Sequence, residues 1–127
     1  MYKWIVRTGI ITLLVLSSFI FSYAYTIDCK VTEISDGDTF RCIPSAPVAG
    51  AKVHSDGSIS VRLRGVDAPE KAQRYGPEAR ESLKNMIDGK SVKLDIRNID
   101  RYGRVPAYVY LGNLNVNLEQ VKRGFAW

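Results

Sequence analysis

Three short stretches carry side chains with chemistry to offer: "DGDT" at Asp36–Thr39, "VRLRGVDAPE" at Val61–Glu70 and "DRYGR" at Asp100–Arg104. Each alone reads as an ordinary polar segment. Asp-Gly is a hairpin signal and accounts for Asp36 and Gly37. An Asp-Ala-Pro-Glu loop is commonly solvated, and "DRYGR" suits a hairpin loop with an arginine stacked on Tyr102. Asp38 and Thr39 are expected just past the first turn, where a turn needs no second acid. Taken together, the three stretches offer more. Carboxylates from separate loops can hold a hard divalent cation, which takes oxygen ligands. Arginines from two segments can clamp a phosphodiester bidentately. A metal, a water-orienting carboxylate and two guanidinium groups are the parts of a phosphodiester hydrolysis site. His54 is the sole histidine and the cysteines, Cys29 and Cys42, form no cluster, so a zinc site of the usual kind is excluded.

Those residues must be positioned by a small chain. At 127 residues and 14.2 kDa it holds one domain, with a net charge of +5. That mild excess of base suits a polyanionic partner and equally suits a plain solvated surface. At the N-terminus Lys3 and Arg7 precede or flank the apolar run "IITLLVLSSFIF", which ends at the small residues of "SYA", Ser22–Ala24. This pattern predicts a secretory signal over residues 1–24 and a mature domain over 25–127, since a spanning helix needs ~20 apolar residues. An uncleaved anchor is the alternative, and the one route to a membrane. Export to the periplasm or the medium favours oxidised thiols, so a structural Cys29–Cys42 disulfide is expected. With Asp36-Gly37 as the turn, Val31 faces Cys42 and Cys29 sits out of register, so the hairpin needs a bulge.

From Tyr25 onward the pattern alternates. "TIDCKVTEI" and "TFRCI" are the arms of the hairpin, and "ISVRLRGV" is a third strand with Ile59, Val61 and Leu63 on one face. Arg62 and Arg64 then share the other face. "YGPEARESLKNMIDGK" is a helix with Pro77 in its first turn, Ala79, Leu83, Met86 and Ile87 as its buried stripe, and Gly89 as its stop. "SVKLDIRNI" and "VPAYVYL" are strands, with Pro106 near the start or edge of the second. After a "GN" turn, "VNLEQVKRGFAW" is a short helix capped by Asn117 and ended by Gly124. Five short strands with a helix between the third and fourth predict an α+β, mainly β, OB-fold barrel with two helices.

The ordered blocks "DGDT", "VRLRGVDAPE", "RYGPEA", "DRYGR…AYVY" and "VNLEQVKRGFAW" resemble the staphylococcal nuclease (thermonuclease) family, from Lys30 to Trp127. The resemblance implies an OB-fold and calcium-dependent hydrolysis of DNA and RNA to 3′-phosphate ends. It places calcium ligands at Asp38, Asp67 and the backbone carbonyl of Ala68, where the best-known member has threonine. It places a water-orienting glutamate at Glu70, catalytic arginines at Arg62 and Arg104, and substrate contacts at Arg101 and Tyr102. Arg64 falls on a core apolar position of the family and is left out of the site. The family usually continues with an aromatic residue against the nucleotide and a third helix, which the given sequence lacks.

Two other functions compete. An OB-fold module that binds single-stranded nucleic acid without cutting it can use Tyr75, Tyr102, Tyr108 and Tyr110 as stacking platforms. Against it, Asp38, Asp67 and Glu70 would repel a polyanion unless a metal intervened. A truncated, inactive nuclease fragment is the third reading. In each case the expected partner is nucleic acid, and the chain is expected to be a monomer with no stable protein partner.

Overall fold

A computed structural model describes residues 24–127. The expected signal segment, residues 1–24, therefore lies outside the described residues except for Ala24. Six strands and two helices follow in the order β1 (Tyr25–Asp36), β2 (Thr39–Pro44), β3 (Ile59–Leu63), α1 (Gly76–Ile87), β4 (Ser91–Ile96), β5 (Val105–Leu111), β6 (Leu114–Asn115) and α2 (Val116–Lys122).

The strands form one sheet in the order β3-β2-β1-β4-β5-β6, and β3 also pairs with β5 in parallel, closing a five-stranded barrel. This is the expected OB-fold class. Closure removes the open sheet edges of those strands. Alternation sends Ile59, Val61 and Leu63 of β3, Val92, Leu94 and Ile96 of β4, and Val105, Ala107 and Val109 of β5 into the barrel. Leu83, Met86 and Ile87 of α1 join the same core. Fully buried side chains such as Phe40, Leu63 and Leu83 each contribute about 1.5–3 kcal/mol through burial. Among the described residues no helix is long and apolar enough to cross a membrane.

The first hairpin differs from expectation by one residue. Asp36 pairs with Thr39, so Gly37 and Asp38 are the turn, and Asp38 is its second residue rather than the residue beyond it. Two irregularities in β1, between Val31 and Glu33 and between Ile34 and Asp36, then restore the Val31–Cys42 pairing. Cys29 and Cys42 are disulfide-bonded with Cα atoms 5.5 Å apart, although Cys29 lies opposite Pro44. The two irregularities thus offset the shifted turn but do not bring Cys29 opposite Cys42, and the disulfide forms across the remaining offset.

The second helix is capped by Asn115, whose side chain accepts from the Leu118 N–H at 3.1 Å. Asn117, the expected cap, has a different task. It is buried, accepts from the Val109 N–H at 2.9 Å, and donates to the carbonyls of Arg64 and Ala107 at 2.9 and 3.1 Å. Two asparagines two residues apart both suit a cap, and β6, the unexpected strand made of Leu114 and Asn115, decides which one stands at the helix start.

Candidate active site

Barrel register brings the three chemical stretches together. Thr39 pairs with Arg62 across β2 and β3, and Arg62 pairs with Pro106 across the parallel β3–β5 seam. Asp38 therefore precedes one neighbour of Arg62, and Arg104 precedes the other by two residues. Since Leu63 points inward, Arg62 points out of the barrel, toward the mouth these loops surround.

The Arg62 guanidinium is ion-paired with both acids: Nη1 stands 3.6 Å from Asp38 Oδ2, and Nη2 pairs with Asp67 Oδ1. Nη1 also donates to the Val66 carbonyl at 3.1 Å. Asp38 is nearly buried and is held further by the Thr39 hydroxyl on Oδ1 and the Ala68 N–H on Oδ2, both at 2.9 Å. Asp67 has a 61% exposed side chain, leaving carboxylate lone pairs open to solvent. Its backbone is pinned instead, because its N–H donates to the Trp127 carbonyl at 2.8 Å and its carbonyl accepts from the Trp127 N–H at 2.9 Å.

Arg104 is aimed by Asp100. Its Nε donates to Asp100 Oδ2 at 2.8 Å, while the backbone N–H groups of Tyr102 and Arg104 both donate to Oδ1 at 2.9 Å. Partial desolvation works against the charge on Asp100. The bonds from the Arg104 side chain and from the two backbone N–H groups outweigh it and hold the carboxyl below the usual carboxylate range. Because Asp100 occupies the Nε edge, the terminal amino groups of Arg104 remain available for an anion. Tyr102 is exposed, with the guanidinium carbons of Arg101 and Arg104 at 4.8 and 5.4 Å from its ring centroid. Arg101 also donates to the Tyr102 hydroxyl at 2.7 Å. Arg101 and Tyr102 thus form a cationic, aromatic rim beside Arg104.

Glu70 is exposed and lines a cleft of about 350 Å³ together with Asp38, Asp67, Ala68, Arg62 and Arg104. Its segment is fixed by backbone bonds: the Glu70 N–H to Gln73 Oε1 at 2.7 Å, the Gln73 N–H to the Glu70 carbonyl at 2.8 Å, and the Lys71 N–H to Asp36 Oδ1 at 2.8 Å. Gly76 is required here by close approach. A Cβ on it would stand 1.9 Å from the Glu70 carbonyl oxygen.

The structure thus gathers Asp38, Arg62, Asp67, Ala68, Glu70 and Arg104 around one cleft, with the Tyr102 ring under the Arg101 and Arg104 guanidinium groups beside it. The disulfide lies apart, in the hairpin that carries the Gly37-Asp38 turn. Four contributors were not anticipated: Asp36, read only as a turn acid; Asp100, present in "DRYGR" without an assigned task; and Gln73 and Trp127, whose types and spacing carry no signal. Arg64 also departs from expectation. It is half-buried rather than part of the apolar core, and Nη1 donates to Asn98 Oδ1.

The groups along the cleft that could hold a metal are all oxygen: the Asp38 and Asp67 carboxylates and the carbonyl of Ala68. That suits a hard divalent cation, with waters completing the six to eight positions that calcium typically fills. Among the described residues no group of three His, Cys, Asp or Glu side chains could hold a metal unaided. The positive charge lying against both carboxylates is the Arg62 guanidinium.

Comparison with known proteins agrees with this geometry. A family model described as staphylococcal nuclease homologue matches residues 60–127. The chain is 43% identical over 99 residues to an uncharacterized endonuclease of Haemophilus influenzae, covering 78% of this chain and 51% of that one. It is 46% identical over 88 residues to a probable staphylococcal-like nuclease of Oryza sativa subsp. japonica, covering 69% of this chain and 26% of that one. An uncharacterized endonuclease of Escherichia coli is 34% identical over 113 residues, 86% of this chain and 67% of that one. The chain therefore spans about half the length of the Haemophilus relative and about a quarter of the rice one. With its barrel, its gathered acids and arginines, and a family match that covers more than half of its length, the chain belongs to the staphylococcal nuclease homologue family.

Proposed function

We propose that this chain is an exported, calcium-dependent nuclease that hydrolyses phosphodiester bonds of DNA or RNA and leaves 3′-phosphate ends. One observation carries the proposal: the Arg62 guanidinium joins Asp38 and Asp67 at the cleft that Glu70 and Arg104 also line. A pure binding surface has no use for three acids facing a polyanion.

In this mechanism Arg62 and Arg104 hold the scissile phosphate and stabilise the charge that builds on its oxygens. Glu70 orients a water for in-line attack and takes its proton. The water oxygen bonds to phosphorus as the bond to the 5′ oxygen breaks, and that oxygen leaves protonated by solvent. Asp38, Asp67 and the Ala68 carbonyl would hold calcium, which when bound supplies Lewis-acid polarisation of a phosphoryl oxygen. Ala68 replaces a threonine of the best-known member without removing a backbone ligand. Asp100 keeps Arg104 aimed, and Arg101 with Tyr102 receives the neighbouring nucleotide. Export rests on Lys3, Arg7 and the apolar run before Ser22–Ala24. The active form is a monomer.

Linear DNA and single-stranded RNA incubated with calcium, and again with a calcium chelator, test the proposal. Cutting that requires calcium and falls by about 10²–10³ in Arg62→Ala or Arg104→Ala is the expected result, by analogy with the loss of one oxyanion donor. Glu70→Ser with calcium titrated alongside should lose rate while retaining metal affinity. Metal-indifferent retention of nucleic acid on a gel without cleavage would instead establish a binding module.

A further inference from the structure

A second groove, of about 620 Å³, adjoins the cleft and shares Arg62, Asp67 and Arg104 with it. Arg64, Asn98 and Tyr108 line it as well, and none of these lines the cleft. Arg64 stands one residue beyond the end of β3, in the turn before Gly65, and both it and Arg62, two residues back, line the groove. The two arginines differ in how their charge is met. Arg62 lies against Asp38 and Asp67, and Arg104 lies against Asp100. Arg64 has a neutral partner, the Asn98 side-chain oxygen, and among the described residues it makes no ion pair. Asn98 thus orients the guanidinium without neutralising it.

A cation held in place but not neutralised, two residues from the arginine assigned to the scissile phosphate and lining the groove beside it, has the placement of a phosphate contact. Its backbone is rigid as well. The Arg64 N–H donates to the Ala107 carbonyl at 2.9 Å and its carbonyl accepts from Asn117 at 2.9 Å, so the strand end is fixed from both sides. We infer that Arg64 binds the phosphate next to the scissile one on a single strand, making the enzyme prefer chains with a flanking phosphate over isolated diesters. The inference rests on the nuclease reading for what happens at Arg62, and on the groove alone for binding.

The test compares wild type, Arg64→Gln and Arg64→Lys, each checked by thermal melting to show that it folds. Binding of a fluorescein-labelled oligothymidylate is followed by anisotropy across a salt series, and cleavage is followed on the same oligonucleotide and on a nitrophenyl thymidine diester with one phosphodiester bond. Arg64→Gln should weaken oligonucleotide binding and raise its KM about tenfold, as for loss of one charge-assisted contact, with kcat and single-diester cleavage unchanged. Its salt slope should fall by about 0.7, the single-strand value for one phosphate, and Arg64→Lys should restore that slope. Unchanged binding and slope in Arg64→Gln would overturn the inference while leaving the nuclease reading intact. If wild type binds the oligonucleotide but cuts neither substrate, the nuclease reading fails and the binding series alone decides Arg64. If wild type does not bind at all, both fall.

Discussion

Gln120 is wholly buried and ties three elements together. Its Nε2 donates to the carbonyls of Gly37 and Ala79 at 2.7 and 3.1 Å, and its Oε1 accepts from the Ser82 hydroxyl at 2.7 Å. Replacing it with methionine keeps the volume and deletes the amide. The Gly37 carbonyl and the Ser82 hydroxyl then lose the partners they have here. Water has little room to replace them, since even a Cβ on Gly37 would stand 2.6 Å from the Ala79 Cβ. Each buried, unpaired group costs about 1–3 kcal/mol, so Gln120→Met should cost roughly 3 kcal/mol after the gain from an apolar side chain. Against a total stability of about 5–15 kcal/mol that is a large loss. For a domain this small it lowers Tm by roughly 10–20 °C. Thermal and urea unfolding of Gln120→Met, Ser82→Ala and the double variant measure it. The double variant should cost clearly less than the sum of the singles, because Ser82→Ala removes one of the groups that methionine strands. A Tm fall below about 4 °C, or strict additivity, would refute the bonding described. Gly37 is next to Asp38, so calcium affinity should weaken in the same variant at temperatures where it remains folded.

Gly76→Ala drives a Cβ into the Glu70 carbonyl and should destabilise by about 1–3 kcal/mol, with cleavage falling further than the melt explains because Glu70 is displaced; wild-type rate well below Tm would contradict this. Asp100→Asn sets an amide donor or a weaker acceptor against Arg104 Nε and should lower kcat with the fold intact. Its pH dependence has a definite sign. Asp100 has a depressed carboxyl, so its contribution is fully present above the ordinary carboxylate pKa of ~3.9 and is lost as pH falls through the lower folded value. The stability difference between wild type and Asp100→Asn should be flat from about pH 7 to 5 and close below about 3.9. A difference that closes above pH 5 would show that another group holds the loop.

Much of this protein was legible from local pattern. Alternation at Ile59, Val61 and Leu63, the α1 stripe of Ala79, Leu83, Met86 and Ile87, and the Gly76-Pro77 start all depend on near neighbours, and each is found where the pattern predicts. So is the disulfide, although the irregularities of β1 leave Cys29 opposite Pro44. The errors are also local in kind. Asp-Gly-Asp and Asn-Val-Asn each offer more than one choice of turn or cap, and pairing with β2 and with β5 selects Gly37-Asp38 and Asn115. What sequence alone determined was therefore the five barrel strands and two helices, but not β6, and, through ordered motifs, which acids and arginines the barrel brings near one another. Tertiary structure decided which partners they have: Arg62 between two carboxylates, Asp100 behind Arg104, Trp127 clamped to Asp67, Gln120 beneath the Asp38 turn, and Arg64 on a groove wall instead of in the core. Side-chain periodicity is set over a few residues, whereas these contacts join segments distant in the chain and exist only once β3 has closed against β5.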